Sequence, residues 1–338
     1  MTGWRERAGR LAVVLCTCGL TAATTPAYGA ADDPVPSRTL FAFEDQEIFE
    51  SSGLVDDGRT VFTVNDSGAD AVLYSVDPDS GATTTRTTYA DDARDVEAIA
   101  PGPDGTVWVG DIGDNRESRD DVTVHRVRPV DGEHPGQAYA LQYPDGAHDA
   151  ETLLAHPGTG RLFVVSKSVF GGTVYAAPRR LSAGGPNRLH RFARVAGLVT
   201  DGAFLPDGKH VLLRTYGTAS AYTFPGFQLL GTVRLPRQPQ GEAVSVSPAG
   251  RVLISSEGAR ADVLEVTLPA ALTQAGETPA TPLGPAPATR APGRRAADPD
   301  PDPRDAADWG WIALAAVGVG ALGYLSLRGS RLRGPRTR

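Results

Sequence analysis

Residues 95–115, DVEAIAPGPDGTVWVGDIGDN, hold a short apolar strand, a glycine turn and a second apolar strand that ends in polar residues. The same order recurs in ESSGLVDDGRTVFTVNDSG from residue 50, DAETLLAHPGTGRLFVVSKS from 149, VTDGAFLPDGKHVLLRTYG from 199 and GEAVSVSPAGRVLISSEG from 241. The turn glycines are Gly58, Gly105, Gly160, Gly208 and Gly250, spaced by 47, 55, 48 and 42 residues. A period of about 40–55 residues with strand–turn–strand content is typical of a β-propeller.

The repeats predict an all-β propeller with four strands in each blade. The fifth repeat has only three strands before the chain becomes rich in proline. Residues 38–43, RTLFAF, precede the first repeat and supply a strand that closes the ring and removes a free edge. This count gives five blades; six would follow if the long interval between Gly105 and Gly160 held two units.

The first 30 residues have the pattern of a secretory signal peptide. Arg5, Arg7 and Arg10 precede a short apolar run, and small residues follow near position 30. An uncleaved anchor is the alternative. The only cysteines, Cys16 and Cys18, lie in this segment, so we expect a body without disulfides or cysteine metal sites.

The C-terminal part of the chain predicts a membrane anchor. After a propeller body at 31–269, residues 270–308 contain eight prolines and read as an extended stalk. Residues 309–327, WGWIALAAVGVGALGYLSL, are uncharged and long enough to span a bilayer, although a core helix would share this pattern. A basic tail, 328–338, follows. We expect a single-pass protein of the cell membrane, with the body outside and the C-terminus inside.

The charge of the body bears on its partners. The chain has a net charge of −7, of which residues 1–30 contribute +2 and residues 309–338 contribute +5, so the remainder carries −14. An acidic surface argues against nucleic acid and anionic lipid as ligands. It suits cations or cationic ligands, and it also serves solubility.

Antiparallel pairing places two sets of polar residues at one end of the ring, because the first strand of a blade begins where the second ends. The first set opens the innermost strands: Glu50, Ser52, Asp95, Glu97, Asp149, Glu151, Asp201 and Glu242. The second set ends the second strands: Asn65, Asp66, Asp111, Asp114, Asn115, Lys167, Arg214, Tyr216 and Glu257. Clustered carboxylates of this kind suit a hard cation, above all Ca²⁺.

The basic members of the second set have two interpretations. Lys167 is one of only two lysines in the chain, which suggests that a compact ammonium group is required at this position. Lys167 and Arg214 either pair with the acids or hold an anionic ligand. For the acids themselves, the structural alternative is that they bond the backbone of the next blade, and NDSG and DIGDN are also compatible with ordinary Asx turns.

The segments DVEAIA, DAETLL and QGEAVSVSPAGRVLISSEG resemble bacterial secreted β-propellers of the esterase-like phytase and SMP-30 (gluconolactonase) type, over roughly residues 40–268. The resemblance implies calcium at the central channel in support of phosphoester or lactone hydrolysis. It implies ligation by Glu97, Asp111, Asp114, Asn115, Glu151 and Glu257, and substrate contacts from Lys167, Arg214 and Tyr216. No GxSxG motif or histidine pattern with metal spacing accompanies these residues.

Two functional hypotheses remain at this point, besides a purely structural role. The first is a membrane-anchored binding module whose acidic face takes a metal, a small molecule, a glycan or a protein. The second is a Ca²⁺-dependent extracellular hydrolase. We favour the first, because no complete catalytic set accompanies the carboxylates.

Overall fold

The computed structural model describes residues 33–66, 70–91 and 93–273. All of them belong to the first of the two units into which contacts divide the chain, residues 1–279 and 280–338. The predicted signal peptide, most of the stalk, the membrane span and the basic tail lie outside the described residues.

The described residues form 22 strands, numbered in chain order. They are β1 (Ser37–Ala42), β2 (Ser51–Asp56), β3 (Val61–Asn65), β4 (Val72–Val76), β5 (Thr83–Thr88), β6 (Val96–Pro101), β7 (Val107–Asp111), β8 (Val122–Val127), β9 (Gly132–Glu133), β10 (Gln137–Gln142), β11 (Ala150–Ala155), β12 (Leu162–Ser166), β13 (Thr173–Ala176), β14 (Asn187–Arg188), β15 (His190–Arg194), β16 (Asp201–Phe204), β17 (His210–Arg214), β18 (Thr218–Thr223), β19 (Leu229–Arg234), β20 (Gly241–Val246), β21 (Val252–Ser256) and β22 (Asp262–Val266).

Twenty of these strands form five antiparallel blades of four strands each. From the ring axis outward they are β2-β3-β4-β5, β6-β7-β8-β10, β11-β12-β13-β15, β16-β17-β18-β19 and β20-β21-β22-β1. Each innermost strand contacts the innermost strands of both neighbouring blades, from β2 round to β20 and back to β2. The prediction of an all-β, five-bladed propeller is confirmed.

The N-terminal strand closes the ring. β1 pairs antiparallel with β22, with Ser37 opposite Val266 and Ala42 opposite Asp262. Phe41 and the following Phe43 are both buried, and their rings meet edge to face at 5.7 Å between centroids. Blade five is therefore built from both ends of the body.

The hydrophobic core is divided among the five interfaces between neighbouring blades. Each interface holds one cluster of buried apolar side chains; blades three and four, for example, are joined by Phe163, Phe204 and Tyr222. The inner strands are buried along their length, whereas outer strands such as β10 alternate between exposed and buried residues. A blade has two apolar faces and needs a neighbour on each of them.

The five turn glycines predicted from the repeat all have a positive φ, from +64° at Gly208 to +92° at Gly58. Residues with a Cβ adopt this conformation at a cost, which explains why glycine recurs at the position. All five turns lie at one end of the ring, opposite the predicted polar face.

Two short strands were not predicted. β9 adds to β5, and β14 adds to β10, in each case as two residues in parallel pairing. Both come from connections outside the repeats, so blades one and two each gain a fifth strand. Two paired residues leave no periodic pattern that a sequence could reveal.

The body continues past the predicted boundary at residue 269. Residues Ala270–Thr273 form a helical turn, in which Leu272 is buried against blades four and five. A Cβ on Gly231 of β19 would lie 2.8 Å from the Leu272 side chain, so glycine at this position leaves the space that Leu272 fills. In the part of the chain that the structure describes, no helix has the length and apolarity needed to cross a bilayer.

Replacing Phe41 by Ala should lower the free energy of unfolding by about 3–5 kcal/mol, because it removes a buried aromatic ring from the closing strand. Urea unfolding of the full-length chain measures this change. Arg38→Ala is the matched control in the same strand. Its exposed ion pair with Glu265 contributes at most about 1 kcal/mol. Equal effects of the two variants would contradict the closing role of β1.

Candidate functional site

The predicted polar face is the end of the ring where the innermost strands begin and the second strands end. We call this end the acidic mouth: it is formed by the first residues of β2, β6, β11, β16 and β20 and by the residues that follow β3, β7, β12, β17 and β21. Both predicted sets of polar residues lie in these segments or directly beside them in the chain.

A β-bulge opens four of the five innermost strands. In each of these strands the pairing with the second strand gains one extra residue near its start: at Ser52, at Glu97, at Glu151, and between Gly241 and Val244, where Glu242 lies. A bulge re-aims the side chain of the extra residue out of the regular alternation. All four side chains are buried, and Ser52 Oγ reaches the Glu97 carboxylate of the next blade at 3.3 Å. The bulges bring these side chains together around the axis.

A second set of residues repeats one step farther from the axis. In four blades, the backbone N–H of the first residue after the second strand, or of the second residue in blade two, donates to the carbonyl of the residue two before the bulge. The donor and acceptor pairs are Asp66 and Glu50, Gly113 and Asp95, Lys167 and Asp149, and Glu257 and Gln240. The position therefore holds an acid, a glycine, a lysine and an acid in blades one, two, three and five.

Three carboxylates converge where blade one meets blade two. Asp66, Asp95 and Glu97 each have an oxygen within 4.8 Å of the others. Glycine at position 113 leaves the space for them, since a Cβ there would lie 2.5 Å from Asp95 Cγ and 2.8 Å from Glu97 Cγ. An all-oxygen set of this kind suits Ca²⁺ or a similar hard cation. Of the predicted ligands, only Glu97 belongs to this three-carboxylate cluster; Asp66 and Asp95 were predicted as binding residues.

The surroundings of the cluster favour the neutral form of Glu97. Burial, and then the charges of Asp66, Asp95 and Asp149, raise the pKa of Glu97 to about 10, against the opposing effect of Lys167. Burial also raises the pKa of Glu242 to about 7. A cation bound among these groups would favour their ionised forms.

Lys167 lies between the acids of several blades. Its Nζ pairs with the Glu151 carboxylate and lies 5.8 Å from the centre of the Tyr216 ring. The other oxygen of Glu151, Oε2, is buried without a hydrogen-bond partner. Of the two roles predicted for Lys167, the structure favours pairing with an acid. Tyr216 is partly exposed at the mouth, where a ligand can reach it.

Arg214 and Asp201 tie blade four to blade five. Arg214 Nη1 donates to the carbonyl oxygens of Ala243 and Ser255 at 2.5 and 2.9 Å. The Asp201 carboxylate accepts a hydrogen bond from the N–H of Val244 at 2.7 Å. Arg214 is 0% exposed, which leaves no surface for the ligand contact predicted from the sequence. Burial lowers its pKa to about 10.

Asp111 and Asp114, predicted as metal ligands, bind the protein's own loops. Asp111 accepts hydrogen bonds from the N–H groups of Arg94 and Asp95, each at 3.1 Å, and from Arg119 at 2.7 Å. Asp114 accepts from the N–H groups of Ser118 and Arg119 at 2.7 Å. Asp111 thus holds the backbone of Asp95 and so positions the three-carboxylate cluster.

Four other predicted residues also lie outside the cluster. The Asn65 side chain accepts from the N–H groups of Phe49 and Glu50, which anchors the approach to β2. Asn115 is exposed. Asp149 accepts from the N–H of Asp114 at 2.9 Å and contributes charge near Glu97. Glu257, at the edge of the mouth, has a pKa raised by burial and then by Asp66 and Glu50.

Comparisons with known proteins leave the family open. No family model matches the chain, and no curated protein does. Among solved structures, a glucose dehydrogenase is 11% identical with a TM-score of 0.42, covering 69% of this chain and all of the other. A luciferin-regenerating enzyme is 12% identical with a TM-score of 0.41, covering 69% and 95%. A gluconolactonase from Xanthomonas campestris is 16% identical with a TM-score of 0.42, covering 70% and 88%. Likenesses this weak carry no argument about activity.

Raising the pH of a metal-free solution should destabilise the protein through Glu97. Its folded pKa, about 10, lies above the ordinary 4.5, so the neutral form is the one that the fold favours. This contribution is complete below about pH 4.5 and is lost as the pH rises toward about 10. Urea unfolding in EGTA across this range should show a falling free energy of unfolding, and Glu97→Gln should reduce the slope.

Glu133→Gln provides the control for this pH series, because it removes an exposed carboxylate from β9, outside the mouth. Its slope should match that of the wild type. The same slope in the wild type and in Glu97→Gln would contradict the electrostatic description of the cluster.

Proposed function

We propose that the protein is a membrane-anchored binding module whose body lies outside the cytoplasm and whose acidic mouth binds Ca²⁺. One observation carries the proposal: Asp66, Asp95 and Glu97 converge within 4.8 Å in a space that Gly113 leaves free. Ca²⁺ takes about 6–8 oxygen ligands. Three carboxylates supply between three and six of them, and the remaining positions are open to water or to an oxygen of a ligand.

Burial of the carboxylates supports a bound cation. Glu97 lies at the closed end of the cluster, while Asp66 and Asp95 are half-buried nearer the solvent. Ionised carboxylates this close together repel one another, and a divalent ion bound among them removes that repulsion. The proposed ion therefore stabilises the mouth, and its open coordination positions offer a ligand a place to bind.

The cellular setting in this proposal comes from the sequence. The signal-like residues 1–30, the uncharged residues 309–327 and the basic end support a body held outside the membrane by a single C-terminal span. The acidic charge of the body argues against nucleic acid. A small molecule, a glycan or a protein remains as the ligand of the face.

Replacing Asp95 by Asn should weaken Ca²⁺ binding at least about tenfold, since it removes one of three anionic ligands. Gly113→Ala should weaken binding as well, because the added Cβ would take the space beside the Asp95 carboxylate. Isothermal titration calorimetry of the full-length chain with CaCl₂ measures both effects.

Gly217→Ala is the matched control at the same mouth, since a Cβ on Gly217 meets no atom within 4 Å. It should bind Ca²⁺ as the wild type does. Glu257→Gln removes a charge from the mouth but no member of the cluster, so it should have a smaller effect than Asp95→Asn. An absence of Ca²⁺ binding, or binding that Asp95→Asn leaves unchanged, would refute the proposal.

Ca²⁺-dependent hydrolysis of a phosphoester or lactone is a second candidate function, favoured by Glu242. Burial raises the pKa of this side chain to about 7, and Lys167 and Tyr216 lie within its electrostatic reach. A carboxyl with a pKa near neutrality both gives and takes protons at neutral pH. The Ca²⁺ site would then polarise the substrate oxygen beside it.

This second function predicts hydrolysis of p-nitrophenyl phosphate, phytate or gluconolactone in the presence of Ca²⁺. The pH–rate profile should contain a limb near pH 7 that is missing in Glu242→Gln. Inactivity toward all three compounds, or a profile unchanged by Glu242→Gln, would leave binding as the only function of the face.

A further inference from the structure

Exposed apolar side chains gather at the acidic mouth. In the described part of the chain, the exposed large hydrophobic residues are Phe49, Val130, Val169, Phe170, Tyr216 and Leu229. Four of these six lie at the mouth: Phe49 before β2, Val169 and Phe170 after β12, and Tyr216 after β17. The same end of the ring therefore combines buried charge with exposed apolar surface.

Val169 and Phe170 are the most exposed of these side chains, at 78% and 90%. They are consecutive and form the tip of the connection between β12 and β13. An isolated exposed hydrophobic residue needs no explanation, but adjacent ones on a protruding tip are characteristic of contact surfaces.

The base of this tip is tightly packed. The N–H of Gly171 donates to the carbonyl of Ser168 at 3.0 Å, and Ser166 Oγ accepts from the N–H of Thr173 at 3.0 Å. A Cβ on Gly171 would lie 2.5 Å from the Val195 carbonyl oxygen, and one on Gly172 would lie 2.5 Å from that of Ser166. The two glycines let the backbone pass close to its neighbours, so the tip is presented in a defined position.

Lys167 joins this tip to the acids. Its ammonium group lies over the Tyr216 ring of blade four, and Val169 and Phe170 follow Lys167 by two and three positions in blade three. We call the exposed side chains of Val169, Phe170 and Tyr216 the apolar ridge. The charge of Lys167 opposes the rise in the pKa of Glu242 and of Glu257, both in blade five. The charges of these two acids raise the pKa of Tyr216. The ridge therefore borders two acids that lie outside the three-carboxylate cluster.

The shape and charge of this surface select the class of partner. Small molecules bind mainly in concave pockets, whereas Val169 and Phe170 protrude. Anionic membranes and nucleic acids are repelled by the acids beside the ridge. A protein surface with an apolar pocket and a neighbouring lysine or arginine is complementary to this face, because the pocket buries the apolar side chains and the basic group pairs with the acids.

We propose that the apolar ridge and the acid Glu257 dock a protein segment in which a basic residue adjoins apolar ones. Phe170 enters the apolar part of the partner, and the basic side chain lies against Glu257, which is partly exposed, whereas Glu242 is buried. This inference rests on the proposed function, since it assigns a partner class to the same binding face.

A random dodecapeptide library displayed on phage tests this proposal. It is selected on the immobilised full-length chain in the presence of CaCl₂ and, in parallel, on the Phe170→Ser variant. Peptides enriched on the wild type should carry Lys or Arg next to Leu, Ile, Phe or Trp. Their affinity, measured with synthetic peptides, should fall as salt rises.

Phe170→Ser should weaken these peptides at least tenfold, and Glu257→Gln should weaken them and reduce the salt dependence. Leu229→Ser is the matched control, because Leu229 is 55% exposed at the start of β19, away from the ridge. It should leave peptide affinity unchanged. All of these positions are at least partly exposed, so the folded ring should tolerate the changes.

Several outcomes would overturn the docking proposal: no enrichment, enriched peptides without a basic residue, or equal affinity for Phe170→Ser. Binding to phosphatidylcholine–phosphatidylserine vesicles that depends on Phe170 would also overturn it, in favour of a lipid. Calorimetry with CaCl₂ separates this failure from failure of the calcium site, because Phe170→Ser should leave Ca²⁺ binding intact while Asp95→Asn abolishes or weakens it.

Discussion

The structure depends on the packing of each blade against two neighbours. A four-stranded sheet of this size has an apolar surface on both faces, and the five core clusters lie between blades. Closing the ring buries the last two faces, which no open arrangement of five blades can do. The pairing of β1 with β22 completes that burial, so the convergence of the inner strands at the axis depends on the closed ring.

The site follows from the same closure. Five inner strands surround a narrow axis, and the bulges at Ser52, Glu97, Glu151 and Glu242 direct side chains into it. The blades then diverge. Blade two has Gly113 where blade three has Lys167. Gly113 leaves room for the carboxylates of Asp95 and Glu97, whereas Lys167 neutralises the charge of Glu151. Blade four has no bulge and uses Arg214 and Asp201 to hold blade five. The proposed cation site thus lies between blades one and two, and exposed apolar side chains lie on blades three and four.

Much of the fold could be predicted from the sequence because its signals are local. The turn glycines, the short apolar strands and the unpaired RTLFAF segment specify five blades and their closure. The gathering of polar residues at one end follows from antiparallel pairing alone. Other features depend on partners far along the chain and leave no local sequence pattern. They are the short strands β9 and β14 and the burial of Leu272.

The site could be predicted only in outline. Which carboxylates join the cluster depends on contacts that the sequence does not display: Asp111 and Asp114 resemble Glu97 in the sequence, but both accept hydrogen bonds from loop N–H groups, and Asp111 also accepts one from Arg119. The bulges shift the register by one residue, a change that no alternation pattern displays. Gly113 had a visible signal, the glycine within DIGDN, but its meaning required the positions of Asp95 and Glu97.

The closing strand also joins the two ends of the body, which delays its pairing during synthesis. Arg38 of β1 and Glu265 of β22 form an ion pair although 227 positions separate them in the chain. During synthesis, β1 is made first and its partner last, so β1 must wait, unpaired, until the whole body exists. Non-local pairings of this kind slow folding, because the loop must close before the contact forms. A chain that stops short of β22 therefore cannot complete its last blade, and β1 stays without its partner strand.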